Sequence, residues 1–181
     1  MNDSIFYRAK LQYAEEGAQG RAVTCKEEAL IIAGSYGAAE EVALELLDEH
    51  SQMDVASLDY ELVKTKIAEV ILNNTMEHQE RTHKGGTTLH EFFFTESEDS
   101  SAALYSVDVF FATIDEKSGK AKYTKNTMYT PATSPKDAIS RITEYLSSSM
   151  QDYIIRNVKY DKASSIIVDE ARYTSFQKHG H

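Results

Sequence analysis

Leu104-Tyr105-Ser106-Val107-Asp108-Val109-Phe110-Phe111 opens the stretch 104–146, and an earlier stretch answers it: Phe6-Tyr7-Arg8-Ala9-Lys10-Leu11-Gln12-Tyr13. In both, apolar residues alternate with polar ones. Tyr7, Ala9, Leu11 and Tyr13 share one face, as do Tyr105, Val107, Val109 and Phe111. A period of two is the mark of a half-buried strand. Each strand runs into a glycine-bearing turn, Glu15-Glu16-Gly17-Ala18-Gln19-Gly20 and Asp115-Glu116-Lys117-Ser118-Gly119. Each turn leads to a second extended run, which makes a hairpin.

Both second runs end at a serine placed to cap a helix. Ser35 precedes Ala39, Val42, Ala43, Leu46 and Leu47, the stripe of an amphipathic helix. Ser134 precedes Pro135, which suits the first helical position, and then Ala138, Ile142, Tyr145 and Leu146. The first helix is expected to end near His50 to Gln52. A strand from about Leu58 to Leu72 follows it, with a bend or change of face at Lys64-Thr65-Lys66. Asp152-Tyr153 leads a last strand in the same way. Lys26-Glu27-Glu28 is poor strand material and is expected to bulge or fray.

The numbering ties the stretches together. Tyr7 to Tyr105 spans 98 positions, and Lys26/Lys125, Ser35/Ser134 and Ala39/Ala138 each span 99. One residue has been gained in the turn, and strand, turn, cap and stripe agree on the offset. The fold expected is α+β: two tandem ββαβ repeats in pseudo-twofold arrangement, each an antiparallel sheet with one packed helix. The first repeat occupies 1–72 and the second 103–168. Residues 73–102 form an inserted hairpin or loop and a linker, returning to the sheet at Phe92–Phe94, and 169–181 is a flexible tail.

Composition narrows the function. The net charge of −10 disfavours a general nucleic-acid binder, which must neutralise phosphates. Residues 1–72 hold 6 Lys/Arg against 14 Asp/Glu, a net of −8, whereas 103–168 hold 9 against 7, a net of +2. That asymmetry is compatible with head-to-tail homo-oligomers. No apolar run approaches the roughly 18 residues of a spanning helix. The polar N-terminus is not a secretory signal. The lone Cys25 allows no internal disulfide, and the expected setting is cytoplasmic.

Several groups could carry chemistry. His78, His83 and His90 lie near Glu77, Glu80 and Glu91, and zinc is the ligand they would take. Their spacings of five and seven fit no single face, and no HExxH accompanies them, so solvated loop histidines are the plainer reading. Cys25 as a nucleophile needs a base and a lowered pKa, for which nothing in the sequence supplies a partner; buried strand packing is the alternative. Asn73-Asn74-Thr75 has the form of a glycosylation acceptor, idle in a cytosolic chain. No Walker A loop, GxSxG or GxGxxG is present. Lys117, Lys120, Lys122 and Lys125 with Tyr123 could contact single-stranded nucleic acid by charge and stacking.

The stretch Leu104–Val168, with its Asp115–Lys120 turn and Asp137-Ala138 helix start, and the Glu91-Phe92-Phe93-Phe94 strand resemble an uncharacterised domain family of about 150 residues. Its members occur in gut anaerobes, their phages and mobile elements. The likeness covers most of the chain except about Asn73–Thr88. It implies the fold and a mobile-element setting and carries over no catalytic residue. The expected function is therefore a non-enzymatic binding or structural protein, without a cofactor, working through a protein partner. Single-stranded nucleic-acid binding is the alternative, and small-ligand or metal binding a second one.

Overall fold

The structure is a computed structural model that describes residues 5–48, 58–82, 86–95 and 101–178. It is α+β, with one six-stranded and one four-stranded sheet and three helices among the described residues. Two compact units emerge. One is drawn from Met1–Thr65, His78–Phe93 and Ala163–Gly180, the other chiefly from Lys66–Glu77 and Phe94–Lys162.

In the first unit, β1 (Ile5–Glu16) and β2 (Ala22–Ala33) form the expected hairpin, and β3 (Asp59–Lys64) pairs antiparallel with the other edge of β1. Helix α1 (Tyr36–Asp48) starts after Ser35, whose Oγ accepts the Ala38 N–H at 3.2 Å. The predicted stripe is the buried one: Ala39, Ala43 and Leu47 pack with Tyr7, Ala9, Leu11, Ile31 and Leu62. Val42 and Leu46 reach Ala29, Leu89 and Ile167 beyond β2. The six-stranded order is β3-β1-β2-β10-β6-β5, with β5 at Glu77–Thr82, β6 at Thr88–Phe93 and β10 at Ser165–Asp169.

The second unit also holds a long hairpin with a third strand and a helix. β7 (Ala103–Ile114) pairs with β8 (Ala121–Ala132) and with β9 (Tyr153–Asp161), both antiparallel. Helix α2 (Pro135–Tyr145) lays Ala138 and Ile142 on Tyr105, Val107, Val109 and Met128, with Leu146 just beyond its end. β4 (Ile67–Val70) lies along the far side of β8, giving β4-β8-β7-β9. The rungs of the two hairpins coincide. Ile5↔Ala33 through Glu16↔Ala22 correspond, at offsets of 98 and 99, to Ala103↔Ala132 through Ile114↔Ala121.

The structure corrects three expectations. Neither sheet is purely antiparallel: β10 runs parallel to β2, and β4 parallel to β8. The cause is a crossing of the chain. The run expected as one strand over 58–72 is two, and the break at Lys64-Thr65-Lys66 carries it from the six-stranded to the four-stranded sheet. Thr65 closes β3 there by donating its N–H (2.9 Å) and hydroxyl (2.6 Å) to the Phe6 carbonyl. β9 and β10 divide in the same way across 162–164. Second, Lys26-Glu27-Glu28 keeps unbroken register. Its carboxylates are answered, Glu28 by Arg8 at 3.0 Å and Glu27 by the Tyr13 hydroxyl at 3.4 Å. Third, where a flexible tail was expected from 169, β10 runs on to Asp169 and helix α3 spans Glu170–Lys178, with 179–181 outside the described residues. Pro131 stands inside β8, where Asn73 meets it. Its Nδ2 donates to the Pro131 carbonyl at 2.8 Å and to Thr130 Oγ1 at 3.2 Å, so this asparagine is committed to the fold. The polar linker expected at 96–100 lies outside the described residues.

Candidate functional site

β5 and β6 are neighbours at the edge of the six-stranded sheet. Alternation sorts their side chains. Gln79 and Arg81 meet Glu91 on one face, at 3.1 and 2.6 Å. His78 meets His90 on the other, with Nε2 of His78 2.7 Å from Nδ1 of His90. Helix α3 then brings Glu170 and Tyr173, one turn apart, over the pair. The Glu170 carboxylate takes the remaining His90 nitrogen, Nε2. Tyr173 lies flat on His90, centroids 3.7 Å apart and planes 16° from parallel, and Phe92 stacks on His78 at 4.8 Å. His90 is fully buried, whereas the Glu170 side chain is 59% exposed.

A carboxylate accepts, so Nε2 of His90 carries hydrogen, and with both rings neutral its Nδ1 accepts. Nε2 of His78 therefore donates to it, and Nδ1 of His78 is left with a lone pair. Partial desolvation holds the His78 pKa below the usual imidazole value, and the neighbouring His90 adds to the effect; the carboxylates of Glu80 and Glu170 oppose it.

The three candidate metal histidines thus part company. His78 and His90 are strand residues in contact, not solvated loop residues, and His83 lies outside the described residues. Two nitrogens about 2.0–2.1 Å from one tetrahedral metal stand more than about 3 Å apart, so the 2.7 Å pair is spaced for a shared proton. Among the described residues no group of three or more His, Cys, Asp or Glu is disposed to hold a metal ion. Sequence reasoning missed Glu170 and Tyr173. The alternation Leu89-His90-Glu91-Phe92 could have placed His90 on a strand, but nothing local points to α3.

The candidate nucleic-acid residues divide too. Lys117 and Lys120 belong to the β7–β8 turn, where Asp115 accepts the Lys117 N–H at 3.0 Å and Gly119 takes φ 67°. Tyr123 and Lys125 share the sheet face opposite α2, and Lys122 lies on the other face of β8. Phe110, Ile114 and Ile154 join Tyr123 and Lys125 there, and the Arg156 guanidinium sits 5.5 Å from the Phe110 ring centroid. Ile114 is 75% and Tyr123 47% exposed.

Cys25 is half-exposed, and not packed in the core as a strand cysteine was expected to be. Its thiol donates to Glu15 at 3.6 Å, and desolvation together with that carboxylate raises its pKa, the reverse of what activates a nucleophile. Tyr13, beside it on the hairpin, is pushed up to about 12 by burial and by Glu27 and Glu15. A shallow groove of about 200 Å³ on the same sheet is lined by both signs of charge, among them Lys10, Lys26, Asp59 and Glu61.

The family described as Domain of unknown function (DUF4494) matches residues 5–169. The chain belongs to the DUF4494 family. The matched segment contains His78 and His90 and stops just short of Glu170. No curated protein matches the chain. No helix among the described residues of this DUF4494 chain is long and apolar enough to cross a membrane.

Proposed function

We propose that this DUF4494 chain is a non-enzymatic binding protein that engages a protein partner through the outer face of its four-stranded sheet. A rung-by-rung comparison of the hairpins carries the reading. Where β7–β8 places Phe110/Lys125 and Ala112/Tyr123 on that face, the matching rungs of β1–β2 place Gln12/Lys26 and Ala14/Thr24. A hairpin of this register therefore folds without aromatic residues at those positions. Aromatic rings left in water by a fold that does not need them mark a contact surface. Lys125, Arg156 and the nearby turn lysines favour an acidic partner, and the strongly acidic segment 1–72 makes a second copy of the chain one such partner. The proposal includes an origin by duplication with pseudo-twofold packing, supported by the common offsets of 98 and 99. It also includes the cytoplasmic, mobile-element setting that the resemblance implies.

The test borrows residues from the first hairpin. Phe110→Gln with Tyr123→Thr should leave unfolding within about 0.5 kcal/mol of the parent, as surface changes do. The same variant should lose at least about tenfold in recovery of cross-linked partners from the native host. Unchanged recovery would remove this face from the proposal. Exposed Tyr123 beside Lys125 also favours the nucleic-acid reading. A labelled single-stranded oligonucleotide that binds at low salt, and is released by salt, would move the proposal to it.

A further inference from the structure

We infer that the Glu170–His90–His78 chain is a proton-gated latch. It fastens α3 over β6 while the histidine pair holds at most one added proton, and releases the helix when the pair takes up a second.

With both rings neutral, every link has one donor and one acceptor: His90 Nε2–H to Glu170, and His78 Nε2–H to His90 Nδ1. One added proton keeps that order. His90 becomes an imidazolium that donates to Glu170 and to Nε2 of His78, while His78 holds its own hydrogen on Nδ1. A second added proton cannot be accommodated. Both facing nitrogens would carry hydrogens 2.7 Å apart, and two cations would lie in contact. Only the Glu170 carboxylate is bonded to the pair, and Glu80 adds a second negative charge on the His78 side.

Among the described residues, β5 adds the carboxylate of Glu80, which acts on His78. On β6 the next residue on this face is Phe92, and β10 places Val168 opposite His90 and Ile166 opposite Phe92. On α3 the Tyr173 ring lies against the pair. The other charged anchor of the helix is the Asp169–Arg172 pair, whose guanidinium occupies the space a side chain at Gly34 would need.

The undocked helix leaves both histidines free to charge at their ordinary pKa, about 6.5. The docked form refuses one of those protons. Docking is then insensitive to pH above that value and weakens about tenfold for each pH unit below it, until the docked pair is itself forced to charge. Release strips Tyr173 from His90 and Phe92 and opens an aromatic surface on the six-stranded sheet.

Hydrogen exchange read by mass spectrometry on the full chain, corrected for intrinsic rates between pH 8 and 4.5, tests this. The amides of 170–178 should lose protection about tenfold per pH unit below about pH 6, with β1, β2, β7 and β8 unchanged. His78→Phe keeps a ring in the stack and removes the second proton's site, so its helix should stay protected throughout. A flat profile in the parent, or the same loss in His78→Phe, overturns the latch. Should His78→Phe fail to fold, ring ¹⁵N shifts of the parent decide instead. An unprotonated His78 Nδ1 at neutral pH, with two coupled titration steps, supports the latch. Independent titration of the two rings at ordinary values overturns it.

Discussion

β10 and β4 do the same job in different places. Each follows the third strand of its motif, and each lies parallel to the second strand of a hairpin. β10 is interior, flanked by β2 and β6, and Ser165-Ile166-Ile167-Val168 is buried at every position. β4 is an edge, and Ile67-Ala68-Glu69-Val70 alternates until it meets the core at Val70. A strand covered on both faces reads as an apolar run, whereas one at an edge keeps its polar alternation. The first unit accordingly buries both faces of its sheet where β2, β10 and β6 meet. The second holds a core on one side and leaves Phe110 and Tyr123 on the other.

The largest test of that contrast is a pair of truncations. Ile166→Ala removes a fully buried side chain from the interior strand and should cost about 2–5 kcal/mol, the usual range for such cavities. Ile67→Ala, at the half-exposed start of the edge strand, should cost about 1 kcal/mol or less. Urea denaturation of both variants measures the difference. Equal costs would mean that β4 is buried as deeply as β10 and that the contrast is false.

These short strands are also where the sequence was hardest to read. Hairpins, helices and caps are local features, and their alternation, glycines and serines state them directly. The partner of Ile67–Val70 lies about sixty residues away on β8, and nothing in four residues names it. Apolar runs over 58–72 and 153–168 were therefore readable as strands, but not as two strands in two sheets. Helix α3 was illegible for another reason. It lacks an aliphatic stripe and is docked by Tyr173 and the polar Glu170, so its sequence looks like a solvated tail. His78 and His90 could be named from the sequence, but their contact depends on strand pairing and on that helix.

The next test concerns what fastens each parallel strand to its hairpin. β4 continues into Ile71 and Asn73, and the Asn73 amide serves Thr130 and the Pro131 carbonyl, while the buried Thr130 hydroxyl donates to the Ile71 carbonyl at 3.0 Å. Pro131 has no N–H to give the ladder, so the Thr130 hydroxyl supplies the donor at the Ile71 carbonyl. β10 has regular ladders on both sides and needs no such substitute. Asn73→Ala strands a carbonyl and should cost about 1–3 kcal/mol. Asn73→Asp restores an acceptor where a donor is needed and should not rescue it. Stability of Asn73→Asp equal to the parent would show that the amide is dispensable.

The smallest effect separates the two helix starts. At α2, Ser134 accepts the Asp137 N–H at 3.0 Å, and the Asp137 carboxylate accepts the Thr133 N–H at 3.0 Å and pairs with Arg141. At α1, Ser35 caps Ala38, and the first turn contains no acid to reciprocate. Ser134→Ala should cost about 1 kcal/mol and Ser35→Ala nearer to half that. The pH dependence should differ as well. The Thr133 N–H, and after it Arg141, hold the Asp137 pKa below the ordinary aspartate value despite an opposing desolvation. A depressed carboxylate contributes fully above its unfolded pKa, about 3.9, and the contribution is lost as pH falls through the lower folded value. The deficit of Asp137→Asn against the parent should therefore be present at pH 7 and shrink below about pH 4, with Ser35→Ala showing no such change. Parallel pH profiles for the two helices would mean that Asp137 adds nothing to the cap beyond what a lone serine provides.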